Sequence, residues 1–431
     1  MGAGGAYEVS PVNKRMAQLT GRKDFRRNNP MTDKFKMHRF HHIEYWCPDA
    51  TNAFKRFSWG LGMPLVAKSD HSTGNSSFAS YVLKSNELTF IFTAPYSRQA
   101  APADSAPAVP SYKQDDIYAF VNKHGLAVRA VGISVEDAKQ AFEVAVQNGG
   151  KPVHPPSVLK SSDGQESVMA EVHMYGDVVM RFMSGTFKGP FLPTYESQQD
   201  DLQPSYGLHR LDHAVGNAPK MGPVLQYLAQ MTGWHEFAEF TAEDVGTLDS
   251  GLNSKVLAND NEMVICPVNE PTFGTPRKSQ IQTYLEQNEG AGLQHLAIKT
   301  HDIFTTMRQL RARSHQAGFD FMPRASDAYY RKLPAKFGDL LSEDQLKEIE
   351  ELGLLADLDD QGILLQVFTK PVGDRPTLFL EIIQRIGCEY SVQQPDGEEV
   401  MEQAGGCGGF GKGNFSELFK SIEDYERTLK I

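Results

Sequence analysis

Two histidines and one glutamate carry the clearest chemical signal in this chain. His213, His295 and Glu381 lie 82 and 86 residues apart, a spacing that fits no short metal-binding motif. Two neutral imidazoles and one carboxylate on one face of a ferrous ion form the ligand set of non-haem iron oxygenases, and they leave adjacent coordination positions open. These residue types predict an Fe(II) centre if the fold brings them together.

The two halves of the chain repeat, and the repeat places a second histidine in the position of His213. Residues 39–43 (RFHHI) align with residues 210–214 (RLDHA), so His42 corresponds to His213 at an offset of 171 residues (213 − 42). His42 is open to two interpretations, a ligand of a second metal site or a packing and hydrogen-bonding residue. The residues that accompany it favour the second.

A further register of the repeat relates the other two candidate ligands. Residues 130–133 (AVGI) align with residues 295–298 (HLAI), an offset of 165 residues (295 − 130). The strands that follow set Arg181 opposite Glu381. An alanine and an arginine therefore stand where the second half has a histidine and a glutamate. The repeat predicts a duplicated scaffold in which only the second copy holds a metal.

The alternative is that the three residues are unrelated, because a chain with 13 histidines contains some pairs by chance. Glu381 argues against it. This glutamate interrupts the apolar run 378–383 (LFLEII), where an unpaired carboxylate would be costly to bury. A cation is the simplest partner for it, so the metal interpretation is favoured.

The elements that must position these residues follow one order, a strand, a helix and then several strands. That order occurs four times, which predicts an α+β fold of two domains, each made of two βαβββ units curled into an open barrel. The helices with the clearest periodicity are expected near residues 54–61, 137–146, 342–352 and 415–429. The clearest strands are expected near residues 80–84, 88–93, 126–133 and 168–183.

Composition divides the chain into four segments. Residues 1–34 are rich in Gly, Asn and basic residues and are expected to form a poorly ordered arm. Residues 35–190 are expected to be a domain without metal, and the polar, Pro-flanked residues 191–204 a linker. Residues 205–431 are expected to be the catalytic domain, with an insertion at 319–353.

The chain closes with a glycine cluster and an amphipathic helix. Residues 406–413 (GCGGFGKG) nearly match a phosphate-binding loop, but glycine occupies the place of its final Ser or Thr, so a hinge is the favoured interpretation. Asn414 and Glu417 are spaced as a capping box for the helix that follows. This C-terminal helix is the expected lid of the site.

The bulk properties exclude several classes of partner. A net charge of −11 makes nucleic acid and an anionic membrane surface unlikely ligands. No apolar run approaches the roughly 18 residues of a membrane span, and the N-terminus lacks the apolar core of a secretory signal. Four scattered cysteines predict free thiols in a reducing compartment. A cytoplasmic enzyme is expected.

Several separate blocks of sequence resemble one family. They are residues 210–217 (RLDHAVGN), 251–254 (GLNS), 278–284 (KSQIQTY), 292–295 (GLQH) and 405–419 (GGCGGFGKGNFSELF). Together they make nearly all of residues 35–431 similar to the plant-type 4-hydroxyphenylpyruvate dioxygenases of the vicinal oxygen chelate superfamily. The resemblance implies glyoxalase-like open barrels and Fe(II) bound by the three candidate ligands.

The resemblance also implies a reaction and a set of pocket residues. The reaction converts 4-hydroxyphenylpyruvate and O2 to homogentisate and CO2 in tyrosine and phenylalanine catabolism, which in a plant supplies plastoquinone and tocopherol, and the enzyme would be a homodimer. The implied catalytic polar residues are Ser254, Asn269, Gln280, Gln294 and Gln366. The implied substrate-binding residues are Phe368, Phe379, Phe410, Asn414, Phe415 and Leu418, of which Phe368 and Phe415 are expected to sandwich the substrate ring. Each phenylalanine could equally be core packing.

Three other functions remain open from the sequence. 4-Hydroxymandelate synthases resemble this family and hydroxylate the benzylic carbon of the same substrate, and the glycine-rich tail with Phe410 and Phe415 favours the ring-hydroxylating enzymes. An extradiol catechol dioxygenase could use the same ligands without a 2-oxo acid. A metal-free small-molecule-binding protein, as the first half is expected to be, belongs to a different class.

Overall fold

The computed structural model describes residues 27–99, 108–199, 205–241, 251–393 and 399–429. The fold is α+β and is built on two large mixed sheets. The strands of the first sheet are β1 Met37–Trp46, β2 Leu65–Ser69, β3 Phe78–Ser85, β4 Leu88–Pro95, β5 Ala127–Val135, β6 Pro152–Lys160, β7 Glu166–Tyr175, β8 Val178–Gly185 and β9 Glu196–Ser197. The strands of the second sheet are β10 Leu208–Asn217, β11 His235–Phe240, β12 Leu252–Ala258, β13 Ile265–Pro271, β14 Gly292–Thr300, β15 Leu355–Leu358, β16 Gly362–Phe368 and β17 Phe379–Gly387.

Helices and one hairpin complete the described chain. The helices are α1 Ala50–Leu61, α2 Gln114–His124, α3 Ala138–Gln147, α4 Met221–Thr232, α5 Gln280–Gln287, α6 Ile303–Arg313, α7 Asp327–Tyr330, α8 Leu333–Phe337, α9 Glu343–Glu351 and α10 Phe415–Leu429. The hairpin joins β18 Glu389–Gln393 to β19 Glu399–Gln403. None of these helices is both long enough and apolar enough to cross a membrane.

The two sheets share one topology, which confirms the duplication. The first has the order β6-β7-β8-β5-β1-β4-β3-β2-β9 and the second β15-β16-β17-β14-β10-β13-β12-β11. In each sheet the opening strand, β1 or β10, pairs in parallel with β4 or β13 and antiparallel with β5 or β14. Apart from the two-residue strand β9, the two large sheets match strand for strand.

The register of the strands also agrees with the sequence repeat. His42 and Arg181 both pair with Gly132, the residue on the strand between them. In the second sheet the corresponding residues both pair with Ala297, which is Gly132 displaced by the predicted offset of 165 residues (297 − 132). Two different pairs of strands therefore give one alignment of the halves.

Aspartates at matching places in the repeat start the helices that cross each sheet. The carboxylate of Asp137 accepts hydrogen bonds from the backbone N–H groups of the first turn of α3, and Asp302 does the same for α6. A carboxylate at the N-cap satisfies donors that the helix leaves free and interacts well with its dipole. The helices expected near residues 54–61, 137–146 and 342–352 are present as α1, α3 and α9.

A buried ion-pair cluster occupies the centre of the first sheet. The Arg181 guanidinium is 1% exposed, and it lies 2.8 Å from a carboxylate oxygen of Glu44 and 2.7 Å from one of Glu171. It also donates to Nε2 of His42 at 3.1 Å. His42 therefore has the hydrogen-bonding role that the sequence favoured, and a guanidinium occupies the position equivalent to Glu381.

Two sequence-based predictions are wrong in the C-terminal region. Cys388 and Cys407, expected to be free thiols, form a disulfide, while Cys47 and Cys266 are free and buried. The base of the β18–β19 hairpin brings these two residues together, and sequence spacing does not show that. The capping box before α10 is also absent, because the Glu417 carboxylate accepts hydrogen bonds from Ser326 instead.

Two further segments differ from expectation. Helix α2 lies in a stretch that the sequence analysis left between units. Residues 27–34, assigned to the arm, contact the loop between β12 and β13, since Arg27 bonds to Glu262 and Asn29 donates to the carbonyl of Asp260. The predicted disorder of the arm otherwise concerns residues 1–26, which lie outside the described residues. The remaining domain bounds stay a prediction.

The Arg181 cluster yields a stability prediction. Arg181→Met removes the cation and leaves two carboxylates buried without compensation, so we expect a loss of about 3–5 kcal/mol in the free energy of unfolding. Urea unfolding followed by circular dichroism measures it. The matched control is Arg39→Met, which breaks the exposed pair with Glu87 and should cost at most about 1 kcal/mol. Equal losses for the two variants would contradict the assignment.

Candidate metal centre

Three neighbouring strands bring the candidate ligands together. His213 lies on β10, His295 on β14 and Glu381 on β17, and these strands are adjacent in the second sheet. His213 and Glu381 flank the small side chain of Ala297 on the strand between them. His295 precedes Ala297 by two residues, so it points to the same face of the sheet.

The ligand atoms of the three side chains converge. All lie within 4.8 Å of one another, and Oε2 of Glu381 is 3.2 Å from Nε2 of His213 and 3.4 Å from Nε2 of His295. The glutamate side chain is 3% exposed and the histidines 5% and 13%. Two imidazoles and one carboxylate in a buried site are a donor set that suits Fe(II).

The second nitrogen of each histidine is held by an acceptor. Nδ1 of His213 lies 2.8 Å from a carboxylate oxygen of Asp212, and Nδ1 of His295 lies 2.9 Å from the amide oxygen of Gln294. Because both oxygens only accept, each Nδ1 carries the proton and each Nε2 presents its lone pair to the centre. Such contacts orient metal-binding imidazoles and increase their basicity.

A buried arginine supports Asp212 in turn. Nε and Nη2 of Arg385 donate to the two oxygens of Asp212 at 2.9 and 2.7 Å, which is a bidentate pair. Nη1 of Arg385 donates to the backbone carbonyls of Cys407 and Gly409. Burial alone would raise the pKa of Asp212, but the charge of Arg385 outweighs it and holds that pKa well below its usual range.

A second chain of hydrogen bonds runs from Glu381 to the start of α10. The amide nitrogen of Gln366 donates to Oε1 of Glu381 at 2.7 Å, and Asn414 donates to the amide oxygen of Gln366 at 2.9 Å. The Tyr329 hydroxyl donates to Asn414 at 2.7 Å. Asn414 therefore positions a residue of the centre instead of capping the helix.

The glycine cluster allows this contact. A Cβ added at Gly411 would lie 1.8 Å from the amide oxygen of Gln366, and Gly411 has a φ of 74°, in the left-handed region. A residue with a side chain would therefore displace Gln366 as well as strain the backbone. The cluster is a close-approach loop beside the centre, which the phosphate-loop pattern did not indicate.

The electrostatics keep Glu381 ionised. Burial raises its pKa, yet the interactions with the adjacent His213 and His295 outweigh burial and lower the pKa to about 2. Burial lowers the pKa of His295 below its ordinary value. The pKa of His213 is raised, because Asp212 and Glu381 together outweigh the effect of burial. An anionic carboxylate thus stands beside imidazoles that can supply lone pairs.

A cavity of about 60 Å³ adjoins the three ligands. Ten of the eleven pocket residues expected from the family resemblance line it, and the eleventh, Asn414, contacts the lining residue Gln366. The sequence analysis missed further lining residues, namely Val215, Phe240, Leu252, Val256, Pro267, Phe419 and Ile422. Alternation along the strands and the spacing of the C-terminal helix are the signals that could have found them.

Aromatic rings surround the ligands. The Phe379 ring stacks on the His295 ring at 4.8 Å between centroids, and the Phe410 ring meets the His213 ring edge-on at 5.3 Å. Phe368 lies 6.2 Å from Phe379 at a steep angle. These contacts fix the imidazoles from the apolar side.

The polar side chains of the cavity differ in whether they have hydrogen-bond partners. Asn269 donates to Asn217 at 3.0 Å and to Gln294 at 3.3 Å. Ser254 and Gln280 also line the cavity and are 5% and 9% exposed. Their side chains have no hydrogen-bond partner within the described parts of the chain. Buried polar groups without partners are suited to hold a polar ligand.

Helix α10 covers one side of the cavity. Leu418, Phe419 and Ile422, on one helical face, contribute to the lining. Arg277 ties the helix down, because its guanidinium donates to the backbone carbonyl of Glu423 at 3.1 Å.

Known proteins resemble this chain over almost its whole length. The chain matches no family model. It is 60% identical over 418 residues to 4-hydroxyphenylpyruvate dioxygenase of Plectranthus scutellarioides, covering 96% of this chain and 94% of that protein. It is 57% identical over 419 residues to the enzyme of the same name from Daucus carota, covering 96% and 92%.

A solved structure of a 4-hydroxymandelate synthase mutant from Streptomyces coelicolor has the same fold. Its TM-score is 0.72 at 22% identity, over 91% of this chain and 99% of that one. This likeness concerns the fold alone, whereas the sequence identities above extend over almost the whole length of both proteins. The chain is an enzyme and belongs to the 4-hydroxyphenylpyruvate dioxygenase family.

Proposed function

We propose that this enzyme converts 4-hydroxyphenylpyruvate and O2 to homogentisate and CO2, with Fe(II) held by His213, His295 and Glu381. The observation that carries the proposal is the convergence of these ligand atoms within 4.8 Å beside a cavity lined by aromatic rings. The names of the full-length relatives supply the substrate. One oxygen atom of O2 enters the ring and the other enters the new carboxylate, so the atoms balance as CO2 leaves.

Iron, when bound, supplies chelation of the keto acid and activation of dioxygen. The protein supplies the rest. Nε2 of each histidine is free for the metal because Asp212 and Gln294 hold the Nδ1 protons. Glu381 adds one negative charge and is fixed by Gln366, so the bound metal keeps a net charge that attracts an anionic substrate.

The cavity walls bind and orient the aromatic part of the substrate. Phe368, Phe379 and Phe410 present ring faces and edges to the space beside the ligands. Ser254 and Gln280 offer unused hydrogen-bonding groups to the phenol hydroxyl. Apolar walls and a closed helix exclude water, which protects reactive species during turnover.

We expect α10 to move when the substrate enters. Phe415, Leu418 and Ile422 of this helix line the cavity, so the helix covers part of the approach to the metal ligands. The preceding loop contains glycines with left-handed backbone angles, including Gly408, Gly409 and Gly411, and such a segment can change its path without side-chain clashes. This supports the lid expected from the sequence.

The family also gives the setting that we propose. The enzyme acts in tyrosine and phenylalanine catabolism, forms a homodimer, and works in the cytoplasm without nucleic acid or membrane partners. The acidic net charge supports the absence of nucleic acid. The Cys388–Cys407 disulfide removes the argument from free thiols for a reducing compartment.

Loss of one ligand tests the metal centre. His295→Ala removes one of two imidazoles, and we expect purified protein to lose bound iron and its 4-hydroxyphenylpyruvate-dependent oxygen uptake by at least about a hundredfold while it stays folded. The control is His42→Gln, which changes the matching histidine of the first sheet and keeps an acceptor for Arg181. Iron retained by His295→Ala, or lost equally from both variants, would refute the assignment.

Product analysis separates this function from its nearest alternative. Chromatography of the wild-type reaction should show homogentisate, because the ring is held against the aromatic wall beside the ligands. Hydroxymandelate as the main product would instead indicate the activity of the structural relative. No oxygen uptake after reconstitution with iron would favour a binding protein.

The loop contact to Gln366 gives a graded test. Gly411→Ala places a methyl group against the Gln366 amide, so Gln366 releases Glu381 and kcat/KM is expected to fall on the order of 10–100-fold. The matched control is Gly274→Ala, which has a similar φ of 85° but open space around its Cβ. Steady-state oxygen uptake measures both, and equal values would show that backbone strain alone is responsible.

A further inference from the structure

A second cavity, lined by residues of both halves of the chain, collects positive charge. It has a volume of about 180 Å³, lies where β10 begins and β14 ends, and shares no lining residue with the cavity beside the metal ligands. Arg210 and Lys299 both line it and stand directly opposite each other on the two antiparallel strands. Like charges in that position destabilise a sheet unless something compensates them.

Lys299 is the more unusual of the two. The residue is 6% exposed, and it has no hydrogen-bond or ion-pair partner among the residues that the structure describes. Burial and then the charge of Arg210 lower its pKa from 10.5 to about 8. A buried ammonium group normally has a partner, because desolvation of an isolated charge is costly.

Arg210 is almost as poorly compensated. Its guanidinium donates only to the carbonyl of Leu211, at 3.3 Å, among the described residues. Asp212 is the nearest carboxylate along the strand, but Arg385 and His213 already use its two oxygens. Arg210 therefore lines the cavity and feels the charges of Asp212 and Glu87, but its guanidinium bonds to no carboxylate among the described residues.

Two histidines also line this cavity. The rings of His209 and His301 lie 4.4 Å apart and both line the cavity. Nδ1 of His209 is buried and has no hydrogen-bond partner in the described chain. An unsatisfied buried nitrogen next to two uncompensated cations is a second, independent sign of a missing acceptor.

The acidic groups near the cavity do not supply that acceptor. Glu87 bonds to Arg39, the third cation of the lining, at 2.6 Å. Glu402 accepts a hydrogen bond from the Tyr390 hydroxyl at 3.4 Å. Glu389 lies on the nearby hairpin and is exposed; its charge acts to raise the pKa of Lys299, but the two side chains form no ion pair or hydrogen bond among the described residues.

We propose that this cavity is a binding site for a small oxyanion carrying a phosphate-like group, held by Arg210, Lys299 and His209. An ammonium group offers three donors and a guanidinium five, which matches the several acceptor oxygens of phosphate or sulfate. The free volume accommodates an ion of that size with a few waters. The bound anion would remove the repulsion across the β10–β14 pair.

Thermal unfolding of the full iron-loaded chain tests the site. Inorganic phosphate, added up to tens of millimolar, should raise the unfolding midpoint, and sodium chloride at equal ionic strength should not, because ligands of the native state stabilise it. Sulfate should act like phosphate, and glycerol phosphate in a parallel series shows whether a phosphate ester is also accepted. The absence of a phosphate-specific shift overturns the proposal.

The substitution Lys299→Met should change both the unfolding midpoint and its response to phosphate. Lys299→Met keeps the length of the side chain and removes the uncompensated charge, so the midpoint without phosphate should rise above that of the wild type. The phosphate-dependent shift should disappear in the same variant. Lys347→Met, at an exposed residue of α9, should keep the wild-type shift. A phosphate response that survives Lys299→Met overturns the proposal.

Two further measurements keep the result unambiguous. His295→Ala, which disables the metal centre, should retain the phosphate shift, and loss of the shift there would place phosphate at the metal instead and overturn the proposal. Isothermal titration of wild-type protein with phosphate should show about one site, and prior saturation with sulfate should abolish it. Titration heats equal to those of chloride would likewise refute the site.

Discussion

The burial of one carboxylate within an apolar strand is the constraint around which the catalytic half is arranged. Glu381 is 2% exposed, so its charge must be met by protein groups or by a cation. His213, His295 and Gln366 meet it from three directions. The other half faces the same problem with the opposite sign, since Arg181 occupies the equivalent place and two carboxylates compensate it.

Two chains of hydrogen bonds connect this centre to the C-terminal tail. One passes from His213 through Asp212 and Arg385 to the carbonyls of the glycine loop. The other passes from Glu381 through Gln366 to Asn414, at the start of α10. The tail that covers the cavity is thus held by the same groups that orient the ligands. A helix placed this way covers the site and stabilises its geometry together, because the docked tail supplies partners to Arg385 and Gln366.

Strands β10 and β14 contribute residues both to the metal centre and to the cationic cavity. Towards one end their residues converge on a carboxylate, and towards the other Arg210 and Lys299 meet without one. Asp212 lies between them and is fully used by Arg385 and His213. The shortage of negative charge at the second end follows from the demand at the first, since one acidic side chain cannot neutralise three cations.

The sequence by itself determined the duplication, its register and the three candidate ligands, because strand residues follow a strict period of two and a repeat preserves which face each residue points to. The family resemblance added the pocket residues. Only the tertiary structure decided the rest: the Cys388–Cys407 pairing, the role of Asn414, and the cationic cavity around Lys299. Each depends on contacts between side chains far apart in the chain, where local spacing gives no signal and the free energy depends on which groups are desolvated together.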